Sequence, residues 1–246
     1  MYLVVIIAGI VAGFINTLAG SGSLVTLPLL IFLGLPATIA NGTNRVAVLL
    51  QNIVATSRFH RNKVLDLKGA LMLGIPAVIG SIFGAQIAVN LNEMIMRQVI
   101  GIVMTIMLLV LIVRPEKWLE GEFDEIHGRL NWKQGLLLFV IGVYGGFIQA
   151  GVGIFLLGCL VLVVGYDLVR ANAVKNAIIL LFTIFALAVF IINKQVDWVV
   201  GLILALGNML GAFVAAKIAV DRGAVWIRRI LIAVVAVSAG SLLFLK

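Results

Sequence analysis

The sequence predicts an all-α integral membrane protein made of two inverted repeats, each with five hydrophobic segments, including short discontinuous helices. Composition is the first reason: of 246 residues, 63% are hydrophobic and 11% are charged, and the mean hydropathy is +1.23. Soluble domains contain about 25% charged residues. Long apolar runs along the whole chain are the second reason, and a repeated pattern of glycine and polar residues is the third.

Runs of about 17–25 apolar residues are long enough for a helix to cross a bilayer. The chain contains ten hydrophobic segments, at 3–18, 24–34, 43–59, 67–90, 95–113, 134–149, 153–165, 172–192, 197–219 and 226–245. Two of them, 24–34 and 153–165, are too short to cross comfortably. Each follows a glycine-rich break, Ala19-Gly20-Ser21-Gly22 or Ala150-Gly151-Val152-Gly153. The short helices are expected to begin at Ser23 and Ile154.

The two breaks belong to an internal repeat. A shift that places Gly20 on Gly151 aligns 19–110 with 150–241 without a gap. The informative identical pairs are Gly20/Gly151, Gly22/Gly153, Gly34/Gly165, Asn41/Asn172, Asn62/Asn193, Lys63/Lys194, Asp66/Asp197, Gly80/Gly211 and Arg97/Arg228. The chain is therefore predicted to consist of a first repeat (1–113), a charged cytoplasmic linker (114–133) and a second repeat (134–246).

Basic residues predict the orientation of the repeats. Connection 58–68 carries four cations and its second-half equivalent only Lys194, whereas 90–97 carries only Arg97 and its equivalent, 217–229, carries four. The positive-inside rule places 58–68, 114–133 and 217–229 in the cytoplasm. The repeats are then inverted and both termini lie outside. The net charge of +8 is read as this anchoring, so no nucleic-acid partner is expected.

Other function classes have weaker support. The single cysteine and two histidines offer no metal-ligand spacing, so no metal or cofactor is predicted. No carboxylate lies in the interior of an apolar segment, which disfavours a cation carrier. An intramembrane hydrolase using Ser21 or Ser23 would need a nearby base, but both histidines lie in polar connections.

Inverted repeats with broken helices are typical of secondary transporters, which bind substrate near the midplane. Backbone N–H groups at a break must face a watery cavity or a ligand, and a helix N-terminus carries about half a positive charge. Two such N-termini at the membrane centre would suit an anion. The sequence thus favours an inverted-repeat transporter for an anionic substrate.

Polar residues at the start of the third segment of each half add to this prediction. At aligned positions the cation and the amide change places, since Asn44 pairs with Lys175 and Arg45 with Asn176. The candidate substrate-binding residues are Asn16, Gly20, Ser21, Gly22, Ser23, Asn41, Thr43, Asn44, Arg45, Gln149, Gly151, Gly153, Asn172, Lys175 and Asn176.

Simpler roles for some of these residues stay open. Asn41 and Asn172 could only cap helices, and the two cations could snorkel to the interface. Four loop residues are read as turn and cap residues, namely Lys63, Asp66, Lys194 and Asp197.

The stretches GFINTLAGSGSLVTLPLL and LPATIANGTNRVAVLLQN, echoed by GFIQAGVGIF and RANAVKN, resemble the TauE/SafE family of sulfite and organosulfonate exporters. The resemblance spans essentially the whole chain. It implies a membrane permease for small sulfur-containing anions, and its motifs fall on Asn16, 19–22 and 41–44. The second half departs from the pattern, since its break lacks serines and Lys175 replaces the asparagine.

The expected function is export of sulfite or an organosulfonate by alternating access. The expected partners are this small anion, the lipid bilayer and, in a homo-oligomer, a second copy of the chain. A passive anion channel and an amino-acid or other small-solute carrier are the alternatives.

Overall fold

The computed structural model describes residues 2–113 and 131–244, and its regular structure in these ranges is entirely helical. The helices are α1 (Tyr2–Ala19), α2 (Ser23–Phe32), α3 (Ala37–Arg61), α4 (Leu67–Val89), α5 (Glu93–Val113), α6 (Trp132–Phe147), α7 (Val152–Leu162), α8 (Leu168–Ile192) and α9 (Trp198–Phe244). The all-α prediction is confirmed.

Two helix boundaries differ from the hydropathy pattern. Helix α9 covers both the ninth and the tenth predicted segments. The residues between these segments are helical as well, apart from Gly223 (φ 65°, ψ −163°). Helix α6 begins at Trp132 inside the predicted linker, because Asn131 and Gln134 form a capping box there. The remainder of that linker, 114–130, lies outside the described residues.

The backbone makes the same unusual turns at positions that the sequence repeat pairs. Lys63 and Lys194 both have φ 57°, and Gly20 and Gly151 have φ 74° and 75°. Asp66 caps α4 by accepting a hydrogen bond from the backbone N–H of Gly69, and Asp197 accepts one from the N–H of Val200. The cap prediction for both aspartates is confirmed. The inverted orientation of the halves stays a prediction.

Helices of one half pack mainly against helices of the other. The most extensive packing joins α1 to α9 and α4 to α6, followed by α3 with α9 and α4 with α8. Glycines permit the close approach: a Cβ at Gly13 would collide with the backbone of Asn208, and one at Gly146 with the backbone of Ser81. Small residues are the usual means by which membrane helices approach each other. The core therefore lies between the two halves.

Four described helical stretches are long and apolar enough to cross a membrane: α1, α4, α8 and the Trp198–Ile227 part of α9. Their outer faces carry exposed large hydrophobic side chains such as Leu3, Phe83 and Leu206. Helices α2 and α7 have 10 and 11 residues, which is about 15 Å at 1.5 Å per residue. The hydrocarbon core is about 30 Å thick, so the prediction that both are too short is confirmed.

Helix α3 is capped from a distant helix. Its N-cap residue, Pro36, makes no side-chain cap, and the Glu93 carboxylate accepts hydrogen bonds from the backbone N–H groups of Ala37 (2.7 Å) and Thr38 (3.3 Å) instead. A carboxylate at a helix N-terminus is also favoured by the helix dipole. The first residue of α5 thus fixes the start of the helix that carries Arg45.

We expect Glu93→Gln to lower the free energy of unfolding by about 1 kcal/mol, the usual value of an N-cap. Thermal unfolding in detergent would show this as a midpoint lower by about 2–4 °C. Arg97→Gln is the matched control, because this exposed side chain lies 3.6 Å from the same carboxylate and surface ion pairs contribute about 0–1 kcal/mol. An equal loss in both variants would contradict the capping role.

Candidate functional site

The two helix breaks lie against each other at the centre of the fold. The first comprises residues 20–22, between α1 and α2, and the second comprises 148–151 with the first turn of α7, up to Gly153. The backbone N–H of Gly153 donates to the carbonyl oxygen of Gly20 at 3.3 Å. A Cβ on either glycine would collide with the backbone of the other, so the contact requires both glycines.

The breaks leave polar groups available. Within the described part of the chain, the backbone amides of Ser21, Gly22 and Ser23 donate to no carbonyl. The Ser21 hydroxyl is buried and unpaired as well. In the second half α7 begins at Val152, two residues before the predicted Ile154, after Gly151 in a left-handed conformation. The first break therefore adds the Ser21 hydroxyl to its free backbone amides, a donor that the serine-free second break lacks.

Arg45 is fully buried on α3 and holds the end of α6. Its Nη1 donates to the carbonyl oxygen of Gly145 (3.1 Å), and its Nη2 to those of Gly146 (2.6 Å) and Phe147 (3.3 Å). The guanidinium lies over the Phe190 ring, 4.5 Å from its centroid. Since the last carbonyls of a helix lack partners and carry partial negative charge, this cation caps a helix of the other half.

Lys175 makes the reciprocal contact from α8. Its fully buried Nζ donates to the carbonyl oxygens of Thr17 (2.8 Å) and Asn16 (3.4 Å), near the end of α1, and to the side-chain oxygen of Asn172 (2.6 Å). The Asn176 amide also donates to Thr17, at 3.1 Å. Arg45 of the first half thus binds the last residues of α6, and Lys175 of the second half binds the last residues of α1, in each case just before the helix break.

Neither buried cation has an acidic partner. Among the described residues no carboxylate lies within 4.0 Å of Arg45 or Lys175, and the described salt bridges, such as Arg97–Glu93, are at the surface. A charge in an apolar interior is costly unless it is compensated, and a helix C-terminus supplies only about half a negative charge. Among the described residues, carbonyl oxygens and the Asn172 side chain are the partners that compensate these two cations. The snorkelling interpretation of the two cations is wrong, because both side chains are 0% exposed.

The asparagines serve different roles from helix caps. Asn41 and Asn172 lie one turn inside helices that start at Ala37 and Leu168, and Asp167 is the cap of α8. The capping interpretation of both asparagines is therefore wrong. Asn41 instead donates to the carbonyl oxygen of Phe147 at 2.9 Å, beside Arg45.

The remaining predicted residues divide between the break and the periphery. The Asn44 amide donates to the Ser23 hydroxyl (3.0 Å) and its oxygen accepts from the Thr26 hydroxyl (2.6 Å), which fixes the first turn of α2. The Thr43 hydroxyl accepts from the backbone N–H of Asp197 at 2.9 Å. Thr43 therefore lies at the connection before α9 and not at the breaks.

The sequence interpretation missed buried polar side chains next to the breaks. The Gln51 side-chain oxygen accepts hydrogen bonds from the amides of Asn16 and Asn208, both at 3.2 Å. In the second half the Gln149 amide donates to the Thr183 hydroxyl at 2.8 Å. Amide and hydroxyl residues in the middle of the apolar segments 43–59, 172–192 and 197–219 were the available signal.

Comparison with known proteins finds relatives among membrane transporters. Residues 5–242 match the family described as Sulfite exporter TauE/SafE. The chain is 28% identical to the probable membrane transporter protein YfcA of Escherichia coli K12 over 242 residues, 98% of this chain and 89% of that protein. It is also 28% identical to the probable membrane transporter protein ORF9 of Sinorhizobium sp over 230 residues, 93% of this chain and 87% of that protein. No solved structure matches the chain.

Proposed function

Because the chain belongs to the TauE/SafE sulfite exporter family of membrane transporters, we propose that it exports a small sulfur-containing anion, sulfite or an organosulfonate. The observation that carries this proposal is the pair of fully buried cations, Arg45 and Lys175. Neither has a carboxylate partner in the described ranges, and both hold helix ends at the two helix breaks. Buried ionisable groups in membrane segments are functional candidates by default.

The anion would bind at the first break. The free amides of residues 21–23 would donate to its oxygens, as helix N-termini do to phosphate and sulfate. The Nε–H group of Arg45 has no hydrogen-bond partner, while Lys175 has hydrogen bonds to three acceptors. Arg45 would therefore contact the substrate, and Lys175 would act through its charge and through the position of α1.

Alternating access would follow from movement of the two halves around this site. Their first helices are held across the interface by Arg45 and Lys175, so movement of one half changes the contacts of both cations together. An interior-negative membrane potential favours anion exit by roughly 2.3 kcal/mol per charge per 100 mV. Export of an anion could then proceed without a second ion.

Ligand-dependent stabilisation tests the substrate. Purified protein would be heated with sulfite, sulfate, ethanesulfonate, chloride or glycine, with intrinsic tryptophan fluorescence as the readout. A ligand at 100 times its Kd should stabilise the folded state by about 2.7 kcal/mol. We expect sulfite or the sulfonate to raise the unfolding midpoint and chloride and glycine to leave it unchanged. Stabilisation by glycine alone would refute the anion proposal and favour an amino-acid carrier.

A further inference from the structure

Three carboxamides meet beside the first helix break, each from a different helix. They are Asn16 of α1, Gln51 of α3 and Asn208 of α9, and they are 6%, 0% and 2% exposed. The Gln51 side-chain oxygen accepts from both asparagine amides. Gln51 and Asn208 are 157 positions apart, so only the packing of α9 against α3 brings them together.

The cluster leaves one donor and one acceptor without partners. The Gln51 side-chain nitrogen and the Asn208 side-chain oxygen are both buried and unpaired. An amide can be turned over without changing its shape. Turning all three would put the free oxygen on Gln51 and the free nitrogen on Asn208. In either arrangement Gln51 and Asn208 together leave one amide nitrogen and one amide oxygen without partners, and each such group costs about 1–3 kcal/mol when buried.

The amide cluster adjoins the proposed anion site. Gly22, in the first break, packs so closely on Asn16 that a Cβ would collide with the Asn16 side chain. The backbone oxygen of Asn16 also accepts a hydrogen bond from Lys175. The unpaired hydroxyl of Ser21 lies in the same break. An anion held at the first break would thus have the amide cluster as a neighbour.

We propose that Gln51 and Asn208 form a specificity subsite for an oxyanion that carries its own hydrogen-bond donor, such as a hydroxyl-bearing sulfonate or a protonated sulfite. This inference rests on the proposed function. A fully deprotonated oxyanion offers only acceptors, so it can pair with the free N–H but leaves the amide oxygen unpaired. A substrate with an O–H group satisfies both.

A matched pair of ligands tests this subsite, since 2-hydroxyethanesulfonate differs from ethanesulfonate by one hydroxyl. Their dissociation constants would be measured by calorimetry on the full chain in detergent. A hydrogen bond contributes about 0.5–1.5 kcal/mol net, so we expect the hydroxylated ligand to bind about 2–12-fold more tightly to the wild type. In Asn208→Leu, which removes the amide at similar volume, the two ligands should bind equally.

Ser81→Ala is the matched control. The Ser81 hydroxyl is buried in α4, away from the amide cluster, and donates to the carbonyl oxygens of Val78 and Phe182, so its loss should leave the ligand preference unchanged. If Asn208→Leu does not fold, Asn208→Ala replaces it, because alanine is the residue at the equivalent position, Ala77.

The outcomes separate the two proposals. Equal binding of both sulfonates to the wild type would overturn the subsite while leaving the anion transporter in place. A preference that persists in the Asn208 variant would overturn the assignment to the amide cluster. Failure of both sulfonates and of sulfite to bind folded wild-type protein would overturn the proposed function itself.

Discussion

Gly153→Ala is expected to destabilise the protein by about 1–3 kcal/mol, although alanine is normally the better helix former by up to about 1 kcal/mol. Gly153 lies in the first turn of α7, and the added Cβ would collide with the Cα of Gly20. The collision is with backbone, which a side-chain rotation cannot relieve, so the two breaks must separate. Overpacking of this kind costs about 1–3 kcal/mol and occasionally more. Chemical unfolding in detergent measures the loss.

Gly101→Ala is the matched control for this prediction. Gly101 lies in α5, and nothing stands within 4 Å of the position that its Cβ would take. The same substitution should therefore stabilise the protein slightly, by up to about 1 kcal/mol. An unchanged unfolding free energy for Gly153→Ala would mean that Gly20 and Gly153 are not in contact. The arrangement of the candidate site described above would then be wrong.

Arg45→Met is expected to lower both anion affinity and stability, and to be the more damaging of the two cation substitutions. It leaves the carbonyl oxygens of Gly145 and Gly146 without the guanidinium donors, at about 1–3 kcal/mol for each buried unpaired group. The relief from burying a charge offsets part of this loss. Lys175→Met should cost less stability, since the Asn176 amide still donates to Thr17.

Measurement of both quantities separates structural from binding roles. The ligand-free unfolding midpoint reports the loss of the helix cap, and the sulfite-induced shift reports binding. Arg45→Lys keeps the charge but not the bidentate fork, so it should retain more anion affinity than Arg45→Met while losing similar stability. If sulfite binds both methionine variants as it binds the wild type, the cations are purely structural and the proposed binding site is wrong.

Local sequence patterns were sufficient to predict much of the secondary structure of this protein. Apolar content and run length predicted helices in a membrane, because a bilayer permits few other structures. Glycine clusters located the breaks that separate α1 from α2 and α6 from α7, and the repeat identified matching turns at Lys63 and Lys194. Helix boundaries were predicted less accurately where polar residues lie inside a helix. Because Asn41 to Arg45 interrupt the apolar pattern, the third segment was predicted to begin at residue 43, but α3 begins at Ala37.

Only the tertiary structure decided which groups the buried polar side chains bind. The sequence identified Arg45 and Lys175 as buried candidates, yet the carbonyls that they bind lie 100 and 158 positions away. The same holds for Gln51 and Asn208, which meet because α3 and α9 pack together across the two halves. Periodicity and composition describe which face of a helix is apolar, whereas a hydrogen bond between distant residues depends on how those helices cross. The chain by itself thus determined a membrane transporter with two broken helices, and the packing of its halves determined which buried polar groups find hydrogen-bond partners.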